Sequence, residues 1–282
     1  MVNSKNYDSY SNLWFTEEEG HNLKLDYRIK NIIFDDYSSF QHIVVADSYD
    51  FGKMLILDDA IQTTTADGFI YNEMISHVPI CSHPNPEKVL IIGGGDCGAV
   101  REIAKYPSIK KIDMVEIDEM VVMVSKEYLK EIAGDKIDKR INFIFADGVN
   151  YAKECKEQYD IIIVDSSDPV GPAVELFSQN FYENISKILK NDGIFACQSE
   201  SPVFYSEIMK KIFKTLQDVY NDVKLYTATV PTYPGGLWSF AAASKTNIIT
   251  DSKKLIGNTR YINESILKSC FCLPEFVVKM LK

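Results

Sequence analysis

Val89-Leu90-Ile91-Ile92-Gly93-Gly94-Gly95-Asp96-Cys97-Gly98 is the stretch that decides the fold. A run of apolar residues entering a glycine-rich turn and then a helix is how α/β proteins hold a nucleoside-bearing ligand. The glycines let the backbone turn tightly and approach the ligand, and the helix start aims free N–H groups at it. Asp96 sits inside the turn, where such a loop normally accepts the pyrophosphate of NAD or ATP, and a carboxylate there repels phosphate. The loop suits a nucleoside whose adjacent group is cationic.

Downstream, strand patterns at 88–92, 111–115, 141–145, 159–165, 192–197, 223–229 and 237–243 alternate with helical patterns near 97–105, 118–132, 148–156, 176–190 and 203–219. This alternation predicts an α/β fold: a Rossmann-like, methyltransferase-type, mostly parallel sheet with helices on both faces. Its last strand pair flanks Thr232-Tyr233-Pro234-Gly235-Gly236 closely enough for an antiparallel hairpin. Upstream, Leu23 to Thr65 reads as a small antiparallel β domain, with turns at Asp35-Asp36, Ser48-Tyr49-Asp50 and Asp58-Asp59. Residues 1–20 are polar and lack clear periodicity, apart from Leu13-Trp14-Phe15. A helix over 67–77 and a rigid connector from Pro79 to Pro86 join the two parts, which divide as 1–66 and 67–282.

The 282 residues, 46% apolar and 25% charged, suit one large domain or a core with an appendage. A net charge of −10 argues against general nucleic-acid binding. With neither a long apolar run nor a signal-peptide pattern, no membrane partner is expected. The six cysteines are scattered, and only Cys270-Phe271-Cys272 is close-set, which is not a zinc-knuckle spacing. A reduced, cytoplasmic protein is the expectation. None of the four histidines forms a metal-spaced pair, so no metal is expected. Ser166 and Ser167 lack the strand-to-helix elbow of a hydrolase nucleophile.

Ligands in open α/β sheets sit at the carboxyl ends of the strands. Here the first four strands of the alternating region run into Asp96, Glu116, Asp147 and Asp165. Glu116, 23 residues beyond Gly93, reads either as a ribose-binding carboxylate or as a surface acid at a strand end. Asp147 reads as a partner of an adenine amino group or as a helix N-cap. Asp118 and Glu119 offset the dipole of their own helix. Asp165 opens Asp165-Ser166-Ser167-Asp168-Pro169, behind a strand apolar enough to lie at the sheet centre. Like charges gathered this closely raise one another's pKa, and a cationic ligand relieves that cost.

These residues carry a close resemblance to the spermidine synthases, polyamine aminopropyltransferases. It runs through Trp14-Phe15, Phe40-Gln41, Leu57-Asp58-Asp59-Ala60-Ile61-Gln62, Tyr71-Asn72-Glu73-Met74, His83-Pro84 and Gly93-Gly94-Gly95-Asp96. It continues through Glu116-Ile117-Asp118, Asp147-Gly148, Asp165 to Pro172, Gln198-Ser199-Glu200 and Pro231-Thr232-Tyr233-Pro234-Gly235, and so covers nearly the whole chain. The resemblance implies transfer of propylamine from decarboxylated S-adenosylmethionine, a co-substrate and not a cofactor, to putrescine. The products would be spermidine and 5′-methylthioadenosine. By the same resemblance Gln41, Asp96, Glu116, Asp147, Gly148 and Pro172 hold the donor. Asp165 is the proton acceptor, and Tyr71, Asn72, Asp168, Gln198 and Tyr233 join it around the diamine. The segment from Asp168 to Glu175 is implied to close over both substrates. Residues 1–66 become an oligomerisation domain of a homodimer or homotetramer, and 67–282 the catalytic domain.

Two positions depart from the family. Cys97 stands where glycine is usual, which the turn tolerates unless the position needs positive φ. Asn72 follows the tyrosine where relatives carry glutamine or histidine, with shorter reach. The competing readings are an aminopropyltransferase for another amine, a putrescine methyltransferase using intact S-adenosylmethionine, and a non-catalytic polyamine-binding protein.

Overall fold

The computed structural model describes residues 11–19, 22–167 and 171–282, with the side chains of 171 and 172 left aside. Five strands, β1 (Leu13–Glu19), β2 (Leu23–Tyr37), β3 (His42–Ser48), β4 (Lys53–Leu57) and β5 (Ala60–Thr64), form an antiparallel meander in chain order. Alternation gives this sheet two apolar faces. Ile43, Val45 and Leu55 pack on Val121, Val124, Leu129 and Ile132 of the following α/β unit. Ala46, Met54 and Ile56 gather on the other face with Ile29 and Ile61.

The second sheet has seven strands in the order β11-β12-β10-β9-β6-β7-β8. They are β6 (Lys88–Gly93), β7 (Lys111–Glu116), β8 (Ile141–Phe145), β9 (Tyr159–Asp165), β10 (Leu189–Gln198), β11 (Asp222–Thr229) and β12 (Leu237–Ser244). Pairing is parallel from β8 to β10 and antiparallel where β12 joins β10 and β11. The expected hairpin is therefore present. The adjacent β6 and β9 are where the strand order reverses, which in such sheets opens a crevice at the strands' carboxyl ends. Both central strands are buried on both faces, Ile161 to Ile163 at 0% exposure.

Helices α1 (Gly68–Ser82) and α2 (Gly98–Ala104) cover one face of this sheet. Helices α3 (Glu119–Tyr128) and α4 (Lys130–Ala133) divide the single helix expected over 118–132. The other face is covered by α5 (Gly148–Glu154), α6 (Gln179–Ile188) and α7 (Ser206–Gln217). Two short C-terminal helices without an apolar period long enough to read follow, α8 (Glu264–Ser269) and α9 (Glu275–Met280).

Three expectations about local structure are corrected. β1 is a full strand within residues 1–20, which lacked clear periodicity apart from Leu13-Trp14-Phe15, because its inward positions Phe15, Glu17 and Glu19 mix one aromatic with two acids. Asp35 and Asp36 lie inside β2 and the turn comes after them, since β2 pairs with β3 out to Tyr37↔His42. α1 continues through Pro79 to Ser82 where a connector was expected. An internal proline costs about 3 kcal/mol, but of this helix only Phe69 escapes full burial, so packing on every side offsets the lost hydrogen bond.

Candidate active site

The carboxyl ends of β6 to β9 open into a cavity of about 300 Å³. Gly93 to Asp96, Glu116, Asp147, Gly148 and Asp165 line it, and Gln41 and Gln62 close it from the N-terminal sheet. A smaller chamber of about 60 Å³ adjoins it and is lined by Glu17, Glu19, Gln198, Tyr205 and Trp238. Tyr71, Gln62, Ser166 and Tyr233 line both, so the two form one branched cleft. Asp168 lies outside the described residues, and only the backbone of Pro172 is described.

Each acid is held by its strand end. Asp96 Oδ1 accepts from Gly98 N–H at 2.8 Å, while its Oδ2 faces the Asn72 amide at 3.3 Å. Asp96 thus has a structural duty, that of holding the first turn of α2. Asp147 caps α5, accepting from Asn150 N–H at 2.9 Å, so the capping reading holds. Glu116 Oε1 accepts from Asp118 N–H at 3.0 Å. Asp118 caps α3 through Met120 N–H and also takes the Gln41 amide at 2.8 Å, tying the N-terminal sheet to the cleft. Asp165 Oδ1 accepts from Tyr71 O–H at 2.7 Å, and Asp165 O accepts from Gly94 N–H at 2.8 Å.

Among the described residues no lysine, arginine or histidine forms an ion pair with Asp96, Glu116 or Asp165. Burial pushes the Asp165 carboxyl up to about 7, helped by the charges of Asp96 and Glu116 and opposed by the Tyr71 hydrogen bond. Burial likewise raises Glu116 to about 7, against backbone N–H bonds. Asp96 is raised by burial too, against hydrogen bonds from Gly98 and Asn72. Tyr71 is held well above its ordinary range by burial and by Asp165, so it remains a donor. A carboxylate whose pKa lies near neutrality is matched to accepting a proton at physiological pH.

The glycines are required by contact. At Gly93, φ is +85° and a Cβ would lie 2.1 Å from Asp165 O; at Gly98, a Cβ would strike the Asn72 amide at the same 2.1 Å. Cys97 adopts φ +63°, so the position does need the left-handed region and the cysteine occupies it against preference.

Asn72 is buried behind Asp96 and lines neither chamber. Gln198 is buried in the smaller chamber, where its Oε1 accepts from Glu200 N–H at 2.9 Å. Tyr233 O–H donates to Gln62 O at 2.7 Å. Glu17, Glu19, Gln62, Tyr205 and Trp238 line the cleft although sequence reasoning gave them no role. The alternation of Phe15, Glu17 and Glu19 was the available signal for the first two.

The fold and site define an α/β enzyme with an acidic cleft at its topological switch point. Residues 68–253 match the Spermine/spermidine synthase domain, and residues 13–65 the Spermidine synthase tetramerisation domain. A polyamine aminopropyltransferase of Thermoanaerobacter sp. (strain X514) is 44% identical over 269 residues, covering 94% of this chain and 97% of that one. One of Bacillus subtilis (strain 168) is 42% identical over 275 residues, covering 96% and 100%. A spermidine synthase crystallised with the transition-state analogue AdoDATO superposes with a TM-score of 0.93 at 35% identity, covering 96% of this chain and 95% of that one. The chain belongs to the spermine/spermidine synthase family of polyamine aminopropyltransferases.

Proposed function

We propose that the protein transfers the propylamine group of decarboxylated S-adenosylmethionine to putrescine, giving spermidine and 5′-methylthioadenosine. The observation that carries this reading is the set Asp96, Glu116 and Asp165, half-buried around one cavity without ion-pair partners among the described residues. Such a set is matched by a ligand that brings its own positive charges, here a sulfonium and ammonium groups. In the larger chamber Glu116 takes the ribose hydroxyls, Asp147 and Gly148 meet the adenine, and Gln41 closes the side. Asp96 faces the donor's propylamine ammonium and repels the carboxylate of intact S-adenosylmethionine. Pro172 belongs to the same proposal, beside the adenine.

The diamine lies along the smaller chamber with its far ammonium toward Glu17 and Glu19. Its near nitrogen loses a proton to Asp165, whose Oδ1 is already oriented by Tyr71. The freed lone pair forms a bond to the carbon beside sulfur. That C–S bond breaks with its electron pair going to sulfur, which leaves as a neutral thioether. Since a sulfonium is a good leaving group without protonation, positioning and exclusion of water are the protein's main work. Tyr233, Gln198 and Asp168 complete the acceptor side of the proposal, while Asn72, which lines neither chamber, acts from behind Asp96. The five-stranded sheet serves as the oligomerisation unit, 1–66, of a homodimer or homotetramer, and 67–282 is the catalytic unit. The six free cysteines fit a reducing, cytoplasmic setting.

Product analysis by mass spectrometry tests this, using purified protein, each form of the donor and a panel of amines. Methylthioadenosine and spermidine formed only from the decarboxylated donor with putrescine are expected. S-adenosylhomocysteine and methylated putrescine would overturn the reading.

A further inference from the structure

We infer that Asp67 is the positioning residue that sets the distance between the two tyrosines of the acceptor site. The inference rests on the smaller chamber being that site. Asp67 is 5% exposed and lies between β5 and α1. Its Oδ1 accepts from Thr64 O–H at 2.6 Å, at the end of β5. Its Oδ2 accepts from both Thr232 N–H at 2.8 Å and Thr232 O–H at 2.7 Å. Tyr71 stands one helical turn beyond Asp67, and Tyr233 is the residue after Thr232. One carboxylate thus ties the elements carrying both tyrosines.

The link continues on either side. Thr232 O accepts from Tyr27 O–H at 3.0 Å, and Tyr233 O–H reaches back to Gln62 O at 2.7 Å. Burial, with the charges of Glu17, Asp67 and Glu19, pushes the Tyr27 phenol up to about 12, so it stays a donor. The two tyrosine rings meet edge to face with centroids 5.8 Å apart, and both line the junction of the chambers. Loosening Asp67 lets the 231–235 turn move away from α1, which widens the acceptor path. The donor loop 93–98 makes no contact with Asp67 through these bonds.

Asp67→Asn is isosteric, but only one of its two terminal atoms still accepts: its amide nitrogen either opposes the Thr232 N–H or deprives the Thr64 hydroxyl of the acceptor it now has. Hydrogen bonds to a buried charge of this kind are worth about tenfold or more each in an equilibrium. The expected result for Asp67→Asn is a putrescine KM raised about tenfold or more, with relative use of cadaverine increased and calorimetric affinity for methylthioadenosine within about twofold of the parent. Thr232→Val keeps the backbone N–H bond, folds with less disturbance and moves putrescine KM and cadaverine use the same way by a smaller factor. A lowered melting temperature with unchanged putrescine KM and amine preference in both variants would overturn the inference. Equal weakening of methylthioadenosine and putrescine would do so too. If the parent protein makes no spermidine, the functional reading fails instead, and the two failures are distinct.

Discussion

The parallel sheet carries carboxylates withdrawn from solvent at both of its ends, fully at one and partly at the other, and they are treated in opposite ways. At the amino end, Asp160 of β9 accepts from Lys88 N–H at 2.8 Å, Glu87 N–H at 3.0 Å and Lys190 Nζ at 2.7 Å. Asp113 of β7 takes Tyr159 O–H at 2.7 Å and Lys111 Nζ at 2.9 Å. The lysine and the two N–H groups hold Asp160 below the ordinary carboxylate range, against the effect of its burial. At the carboxyl end, Asp96, Glu116 and Asp165 are all raised, with burial the largest cause. Asp160 and Asp113 thus have lysine partners, whereas Asp96, Glu116 and Asp165 at the other end have no cationic partner among the described residues, and this contrast between the two ends of the sheet marks the carboxyl end as the site.

The largest test of the contrast is Asp165→Asn. Removing a positioned proton acceptor is expected to cut turnover by roughly 10²–10⁴, while calorimetry should find most of the donor affinity retained. Near-normal turnover would remove Asp165 from the chemistry. Next comes Asp96→Asn. The ratio of decarboxylated to intact S-adenosylmethionine bound should fall by about tenfold or more, since a charge-assisted contact and a repulsion are lost together. An unchanged ratio in competition binding would free Asp96 from donor choice.

Asp160→Asn probes the other end. It should lower unfolding free energy by about 1.5–3 kcal/mol in urea titrations while leaving kcat alone; a fall in kcat without destabilisation would break the contrast. The pH dependence has opposite signs at the two ends. Asp165 and Glu116, raised to about 7, bind protons in the folded state that the unfolded chain has already released, so stability falls as pH rises from about 4 to 7. Asp160, lowered, supports the fold above its unfolded pKa of about 3.9 and loses that support as pH drops through its folded value. Melting curves of the ligand-free protein should show both limbs, with Glu116→Gln flattening the neutral one and Asp160→Asn the acid one. An upper limb unmoved in Glu116→Gln would mean that Glu116 is not strained. The smallest effect is expected for Cys97→Gly, which removes a Cβ from the left-handed region and should stabilise the protein by about 1 kcal/mol. A loss of stability would show that the buried thiol outweighs the backbone strain.

Asp96, Glu116 and Asp165 were legible because each ends or closely follows a buried strand. Ile91-Ile92 announces Asp96, and Ile163-Val164 announces Asp165, by local order alone. The smaller chamber is assembled from segments far apart in the chain. Glu17 and Trp238 line one chamber, Glu19 meets Tyr205, and Tyr27 meets Thr232. No spacing records such contacts. Cys97 illustrates a finer limit: the residue type was visible, but its φ of +63° is a property of the turn and not of the cysteine. Pro79 shows the converse, a local stop signal overridden by burial on all sides.

The close approach of Gly93 and Gly94 to Asp165 has a consequence for inheritance. Gly94 N–H holds the backbone carbonyl of the same residue whose side chain is proposed to take the proton, and no side chain fits at Gly93 beside it. Loop and base behave as one part that happens to be encoded in two places. A swap of the loop alone between enzymes of this fold would shift the carboxyl as well. New donor preferences are therefore most readily acquired by exchanging both segments together, and single-loop chimeras should lose rate before they gain specificity.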